Sequence, residues 1–303
     1  MRVRSLVVLT PLLLLAGACE PEPPSRQRDP FGLVPKRAGP RSRVRPVSPH
    51  DPPLSTPGPL ISLPPPSATA SAAAPEAPPH DEDDDAACPG EMVLVHGDYC
   101  PDARQDCAKW LDPDTPPFPR KRCGEFARPS RCASEKRQHM RFCIDKWEAA
   151  KEPGDVPLSD VSWTLARAHC ESAGKRLCEE AEWVFACEGE EMLPYPTGFE
   201  RPVGLCNFDR DDLVVNGKMK DNRHPGRDHA QCVSPFGVVN LVGNVDEWTV
   251  RDGPNHHTPW RAALKGGWWL AGRNRCRPAT TGHDEHYHDT QTGFRCCRDA
   301  EPE

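Results

Sequence analysis

Aromatic residues make up only 7% of this 303-residue chain, and the hydrophobic share stops at 37%. Neither average describes the chain well, because its two ends are different materials. There are 15 cysteines but no Cys-x-x-Cys pair, so their spacing does not read as zinc knuckles. Basic residues are not in excess. The 38 Lys and Arg face 45 Asp and Glu, for a net charge of −7, which argues against a nucleic-acid footprint. No internal repeat is visible. The apolar run Leu6 to Leu15 is too short to span a bilayer as a mature helix.

Proline is abundant, with 37 residues. The chain opens "MRVRSLVVLTPLLLLAGACE", in which Arg2 and Arg4 precede the apolar run and small residues lead to Cys19. This reads as an export signal over 1–19. Its "AGAC" ending resembles a bacterial lipoprotein signal, with Ala16 where Leu is usual. The resemblance implies acylation of Cys19, a membrane anchor and a place in the cell envelope, on the outer or the cytoplasmic membrane surface. Residues 20–87 are Pro-rich, then acidic ("HDEDDD"), without helical or strand period. Such a segment buries too little apolar surface to offset its ordering entropy and reads as a disordered linker.

Residues 88–303 read as one domain holding 14 of the cysteines. An exported chain with so many cysteines predicts a disulfide framework. Adjacent Cys296 and Cys297 are expected to take separate partners. "MVLV" (Met92 to Val95) predicts a buried strand and "MRFCIDKWEAA" the next one, with 101–139 as a cysteine-stapled insertion. Ser162 is a plausible N-cap for a helix whose buried face is Trp163, Ala166, Cys170 and Ala173, closed by Gly174. A second helix carries Ala181, Val184 and Phe185 as its stripe and ends at Gly189. Beyond it the chain is loop-rich, and loops this long need internal support.

The stretches "DVSWTLARAHCESAGKRLCEEAEWVFAC", "FGVVNLVGNVDEWT", "LKGGWW" and "TGFRCC" resemble the sulfatase-modifying-factor, or formylglycine-generating-enzyme, domain family. The resemblance implies an α+β fold, a C-type-lectin-like variant with two helices, short sheets and long loops held by calcium. It implies one structural calcium at Asn240, Gly243, Val245 and Glu247. A second calcium falls to Asn207, Phe208 and Asp221. Carbonyl and carboxylate oxygens of irregular backbone suit that ion. Asp246 departs from the family, which usually has an aromatic there. The lectin triplets that bind sugar through calcium are absent.

Family oxidases hold copper(I) between two thiolates five residues apart. The resemblance places those positions at Ala271 and Cys276, and puts Trp268 where a serine is usual. With one ligand missing, copper is not expected. Fourteen domain cysteines is an even number, so Cys276 is expected in a disulfide. By analogy with the lectin-like fold, Cys170 should pair with Cys296 or Cys297, with Cys276 a candidate for the other member of that doublet. "GHDEHYHDT" offers His283, His286 and His288 near acids, the residue types of an iron(II) or other metal site. The competing reading is a solvated polar loop. Trp268, Arg273, Arg275 and Arg277 line the place where the family binds peptide, so a protein or peptide ligand is the expected partner. An active oxidase with an altered site is the alternative reading.

Overall fold

The computed structural model describes residues 87–114, 121–251 and 259–302. The expected signal, Cys19 and nearly all of the linker lie outside the described residues. Strand β1 (Met92–Tyr99) opens the domain. The insertion carries β2 (Ala103–Arg104), β3 (Cys107–Trp110), β4 (Cys123–Phe126) and β5 (Arg131–Cys132). Strand β6 (Gln138–Asp145) returns antiparallel to β1, with Val93 opposite Ile144. Helix α1 (Trp163–Ser172), strand β7 (Arg176–Leu177) and helix α2 (Glu180–Glu188) follow. A small hairpin, β8 (Val214–Val215) and β9 (Lys218–Met219), precedes β10 (Asp246–Val250) and β11 (Ala262–Lys265). The last strands are β12 (Ala279–Thr280), β13 (Thr292–Phe294) and β14 (Cys296–Asp299).

Two four-stranded sheets organise the domain, in the orders β1-β6-β14-β7 and β12-β11-β10-β13. The first is antiparallel throughout, whereas β10 and β13 pair in parallel. The architecture is α+β, with little regular structure and long connections.

Helix α1 forms as its sequence predicts. The Ser162 hydroxyl accepts the Leu165 amide at 3.3 Å, and Trp163, Ala166 and Cys170 are buried. Gly174 follows at φ +68°, a left-handed conformation that suits glycine. Ala173, expected on the buried face, is instead the exposed C-cap. Helix α2 differs more. The Glu182 carboxylate accepts the Glu179 amide at 2.9 Å, one arm of a capping box. From Glu182 to Glu188 every residue is buried, while Ala181 is only partly so. A helix covered on all sides has no stripe to read. It packs in one core with Val93, Val95, Phe142 and Ile144 of the first sheet and with Val238, Leu241 and Val242.

All 14 cysteines among the described residues are paired. Cys88–Cys143 ties the start of the domain to β6. Cys100–Cys132 and Cys107–Cys123 staple the insertion, one inside the other. Cys206–Cys232 closes part of the long loop region. Cys170–Cys296 ties α1 to β14, and Cys178–Cys297 takes the other half of the doublet. Cys276 therefore does not reach that doublet; it bonds Cys187 on α2. Sheet register explains the difference. β14 lies antiparallel to β7 with Cys297 opposite Arg176, so Cys178, two residues on, shares a face with Cys297 and bonds it diagonally.

Candidate functional site

Strand β11 ends at Lys265 and is followed by Gly266 and Gly267, both with positive φ, +84° and +70°. A Cβ on Gly266 would stand 2.6 Å from the Leu241 carbonyl oxygen, and one on Gly267 would stand 2.6 Å from Asn274 Nδ2. The double glycine thus allows the chain to turn sharply against neighbouring backbone. Buried Asn274 then clasps the loop, donating to the Trp268 carbonyl at 2.7 Å. Arg201, forked onto Asp209 at 2.8 Å, donates to Asn274 Oδ1 at 3.3 Å. Trp269 is fully buried, with half-buried Trp268 edge-on against it. The Gly267 amide donates to Asp246 at 3.0 Å, and burial pushes that carboxyl up to about 7. The acid that departs from the family's aromatic is therefore engaged with the double-glycine loop.

Ala271 sits exposed on this loop, while Cys276 is fully buried and bonded to Cys187. The two positions implied for a copper pair thus hold a methyl group and a disulfide sulfur.

The three arginines of "RNRCR" behave differently from one another. Arg277 is bound from all sides. It forks onto buried Glu188 at 2.5 and 2.7 Å and donates to the carbonyls of Cys100 and Pro101. Burial pushes Glu188 up to about 7, against the pull of the Arg277 guanidinium. Arg275 lies over the Phe126 ring at 5.3 Å, and its Nε is buried without a hydrogen-bond partner. Arg273 is exposed. Together with Ala103, Gln105 and Pro278 these arginines line an open cavity of about 370 Å³ between the insertion and the loop.

The first expected calcium loop is tightly built. Asn240 takes a positive φ of +58°, and its buried Oδ1 has no hydrogen-bond partner. Asn240 and Asn244 donate through Nδ2 to Glu148 at 3.3 and 2.7 Å. Glu148 is buried, and burial together with the nearby Glu247 charge pushes its carboxyl up. Glu247 is buried too and is held by Arg295, through Nε and Nη2 at 2.7 Å each, and by the Trp183 indole at 2.8 Å. Two buried acids thus share one guanidinium, and an unpartnered amide oxygen lies among their hydrogen-bond partners. That amide oxygen is the donor type a hard cation takes, while both oxygens of Glu247 are engaged by Arg295 and Trp183.

The second expected loop packs directly on the first. Gly243 has φ +85°, and a Cβ there would meet the Asn207 carbonyl oxygen at 2.5 Å. Asn207 Oδ1 is likewise buried without a partner. Phe208 is buried beneath Arg201. The Asp221 carboxylate is engaged by Arg223 at 2.6 and 2.9 Å, which holds its pKa below the usual carboxylate range. In this arrangement the second loop supplies Asn207 and Phe208, with Asp221 engaged elsewhere.

The histidine loop does not converge. His283 stacks on Tyr287 with ring centroids 3.6 Å apart, and His288 pairs with Asp160 at 2.8 Å. The His286 amide donates to Asp284 at 2.9 Å. Among the described residues no three His, Cys, Asp or Glu side chains gather as metal ligands. The loop distributes His283, His286 and His288 to separate neighbours.

A profile of the sulfatase-modifying factor enzyme 1-like domain matches residues 125–300, more than half of the chain. The chain belongs to this family. It is 31% identical over 160 residues to the inactive C-alpha-formylglycine-generating enzyme 2 of Bos taurus, covering 50% of this chain and 52% of that protein. It is 30% identical over 186 residues to the formylglycine-generating enzyme of Thermomonospora curvata, covering 50% of this chain and 61% of that protein. The chain spans about half the length of the curated relatives it matches. Among solved structures, CarF aligns with a TM-score of 0.47 and 16% identity, over 70% of this chain and 99% of that one.

The sulfatase-modifying-factor domain carries here an α+β, C-type-lectin-like fold of the formylglycine-generating type, rich in disulfides. Its copper chemistry needs two thiolates, and the residues present do not fit it. Two residues of the polar centre were missed from sequence. Glu148 lies 92 residues before Asn240 and is joined to it only by folding. Asn244 bridges the two expected calcium loops by accepting from Asn207 and donating to Glu148.

Proposed function

We propose that this protein is a non-catalytic member of the sulfatase-modifying-factor family that binds a protein or peptide ligand at the cavity lined by Arg273 and Arg275, on the loop that also carries Trp268. The observation that carries the reading is the Cys187–Cys276 disulfide. It buries the single cysteine of the loop and leaves no free thiol among the described residues. Ala271 offers no metal ligand in its place. Calcium in the loops of Asn240 and Asn207 would have a structural role, fixing irregular backbone and offsetting buried acid. Acylation at Cys19 would hold the domain at the cell envelope, with residues 20–87 as spacer. The name of the Bos taurus relative, an inactive member, agrees with a role other than oxidation.

The deciding experiment has two readouts. Alkylation of the unreduced, denatured, exported protein is expected to label no domain cysteine. A Cys-x-Pro-x-Arg peptide incubated with the protein, copper and oxygen is expected to stay unmodified by mass spectrometry. Cys276→Ser should cost about 2–4 kcal/mol of stability and expose one new thiol, that of Cys187. Alkylated Cys276 together with formylglycine in the peptide would overturn the proposal.

A further inference from the structure

The cavity beside the double-glycine loop has an imbalance of charge. Three arginines line it, yet among the described residues only Arg277 has a carboxylate partner, Glu188. Arg275 is partly buried, rests on an aromatic face and donates to no protein acceptor through Nε. The charged groups acting on it are cations, Arg273 and Arg201, together with the Tyr195 hydroxyl. Burial and those like charges lower its pKa. Arg201 is itself neutralised by Asp209. Arg273 feels buried Asp246, whose carboxylate accepts the Gly267 amide. Gln105, on the insertion side, donates to the Met192 carbonyl at 2.8 Å. A guanidinium partly withdrawn from water with no carboxylate partner is costly, and a carboxylate supplied from outside would reduce that cost through charge-assisted hydrogen bonds to the guanidinium nitrogens that are not buried.

We infer that this cavity receives acidic side chains of a protein or peptide ligand, with Arg273 and Arg275 as the anion-binding pair and Gln105 at the rim. The inference rests on the reading of this cleft as a ligand site and adds the chemistry of what enters it. Two features favour a peptide carboxylate over a free inorganic anion. The cavity is open, so a side chain can reach in from a chain lying outside. Its wall is mixed, with Ala103 and Pro278 beside the guanidinium groups, which suits the carbon stem of Glu as well as its charged end. The net charge of −7 makes the basic pair a local exception on an acidic protein, so an acidic ligand is drawn to this place and not held over the whole surface.

The test uses the full chain and fluorescence polarisation of labelled hexaglutamate, with hexaserine and hexalysine as controls. Hexaglutamate is expected to bind, more weakly as ionic strength rises to about 0.15 M, where the Debye length is about 8 Å. Arg273→Ala should weaken it about tenfold, the scale of a lost hydrogen bond to a charged group, and Arg273→Glu should abolish it. Arg273 is exposed and forms no hydrogen bond or ion pair through its side chain among the described residues, so these variants report on binding. Arg275→Met keeps apolar contact with Phe126 and should also weaken binding, whereas Arg167→Ala on α1 should not. Equal binding of hexaserine, or indifference to Arg273→Glu, would overturn the inference. So would full competition by inorganic sulfate at the peptide's own concentration, which would mark a small-anion site. The outcome is separable from that of the thiol and formylglycine experiment. Oxidation of the peptide there would leave hexaglutamate binding to stand or fall alone.

Discussion

The insertion between Cys100 and Cys132 and the polar centre around Asn240 are both irregular chain, held in opposite ways. The insertion buries little. Trp110 and Leu111 remain exposed, and its small core is Cys123 and Phe126 packed with Tyr195 and Phe199. Two nested disulfides fix its shape covalently. The polar centre has no disulfide within Val238 to Val250. It is fixed by buried Glu148, Asn240, Asn244, Glu247 and Arg295, which hydrogen-bond among themselves and leave Asn240 Oδ1 unpartnered. Where apolar burial is scarce, covalent closure limits the unfolded chain. Where burial is complete, charge pairing in a water-poor interior sets the conformation.

The contrast can be broken from either side. The largest effect is expected from Arg295→Met, which strips Glu247 of its counter-charge and leaves two buried acids unpaired. A loss of about 3–5 kcal/mol is expected in urea unfolding; a loss under about 1 kcal/mol would show that the polar centre is not held by that pair. Next comes the double change Cys107→Ser with Cys123→Ser, which opens a closure of sequence separation 16. About 3 kcal/mol of local stability should vanish. Hydrogen exchange should quicken in β3 and β4 and stay slow in β10. Exchange that quickened equally in both would mean the two regions unfold as one. The smallest effect belongs to calcium. A cation bound only by the folded state adds about 2.7 kcal/mol at a hundredfold excess over Kd. Chelation should lower the melting temperature by destabilising the polar centre, and Asn240→Ala should erase that sensitivity. A melting curve unchanged by prolonged chelation would remove calcium from the account.

Much of the scaffold was legible because its signals are local. Ser162 stands immediately before α1 and Gly174 two residues past its end, and cap chemistry acts at that range. The doublet Cys296 and Cys297 announced two partners by adjacency. What stayed hidden is non-local. Cys187 could not be matched to Cys276 because α2 is buried on every side and offers no face that points anywhere in particular. Glu148 reads as an ordinary acid at the end of "CIDKWEAA", and only the fold carries it to Asn240 and Asn244. The difference among Arg273, Arg275 and Arg277 was equally invisible. It depends on Glu188 lying beneath the last of them, 89 residues away.

The Cys88–Cys143 staple has a mechanical meaning. A pull on the chain upstream of Cys88 would otherwise reach Met92 first and peel β1 away one pair of hydrogen bonds at a time. The cystine diverts that load. It passes from Cys88 across the sulfur bridge into Cys143, opposite Leu94 in the register and on a strand flanked by both β1 and β14. Tension therefore enters the sheet at an interior strand through a covalent link, and β1 is spared as the weakest seam.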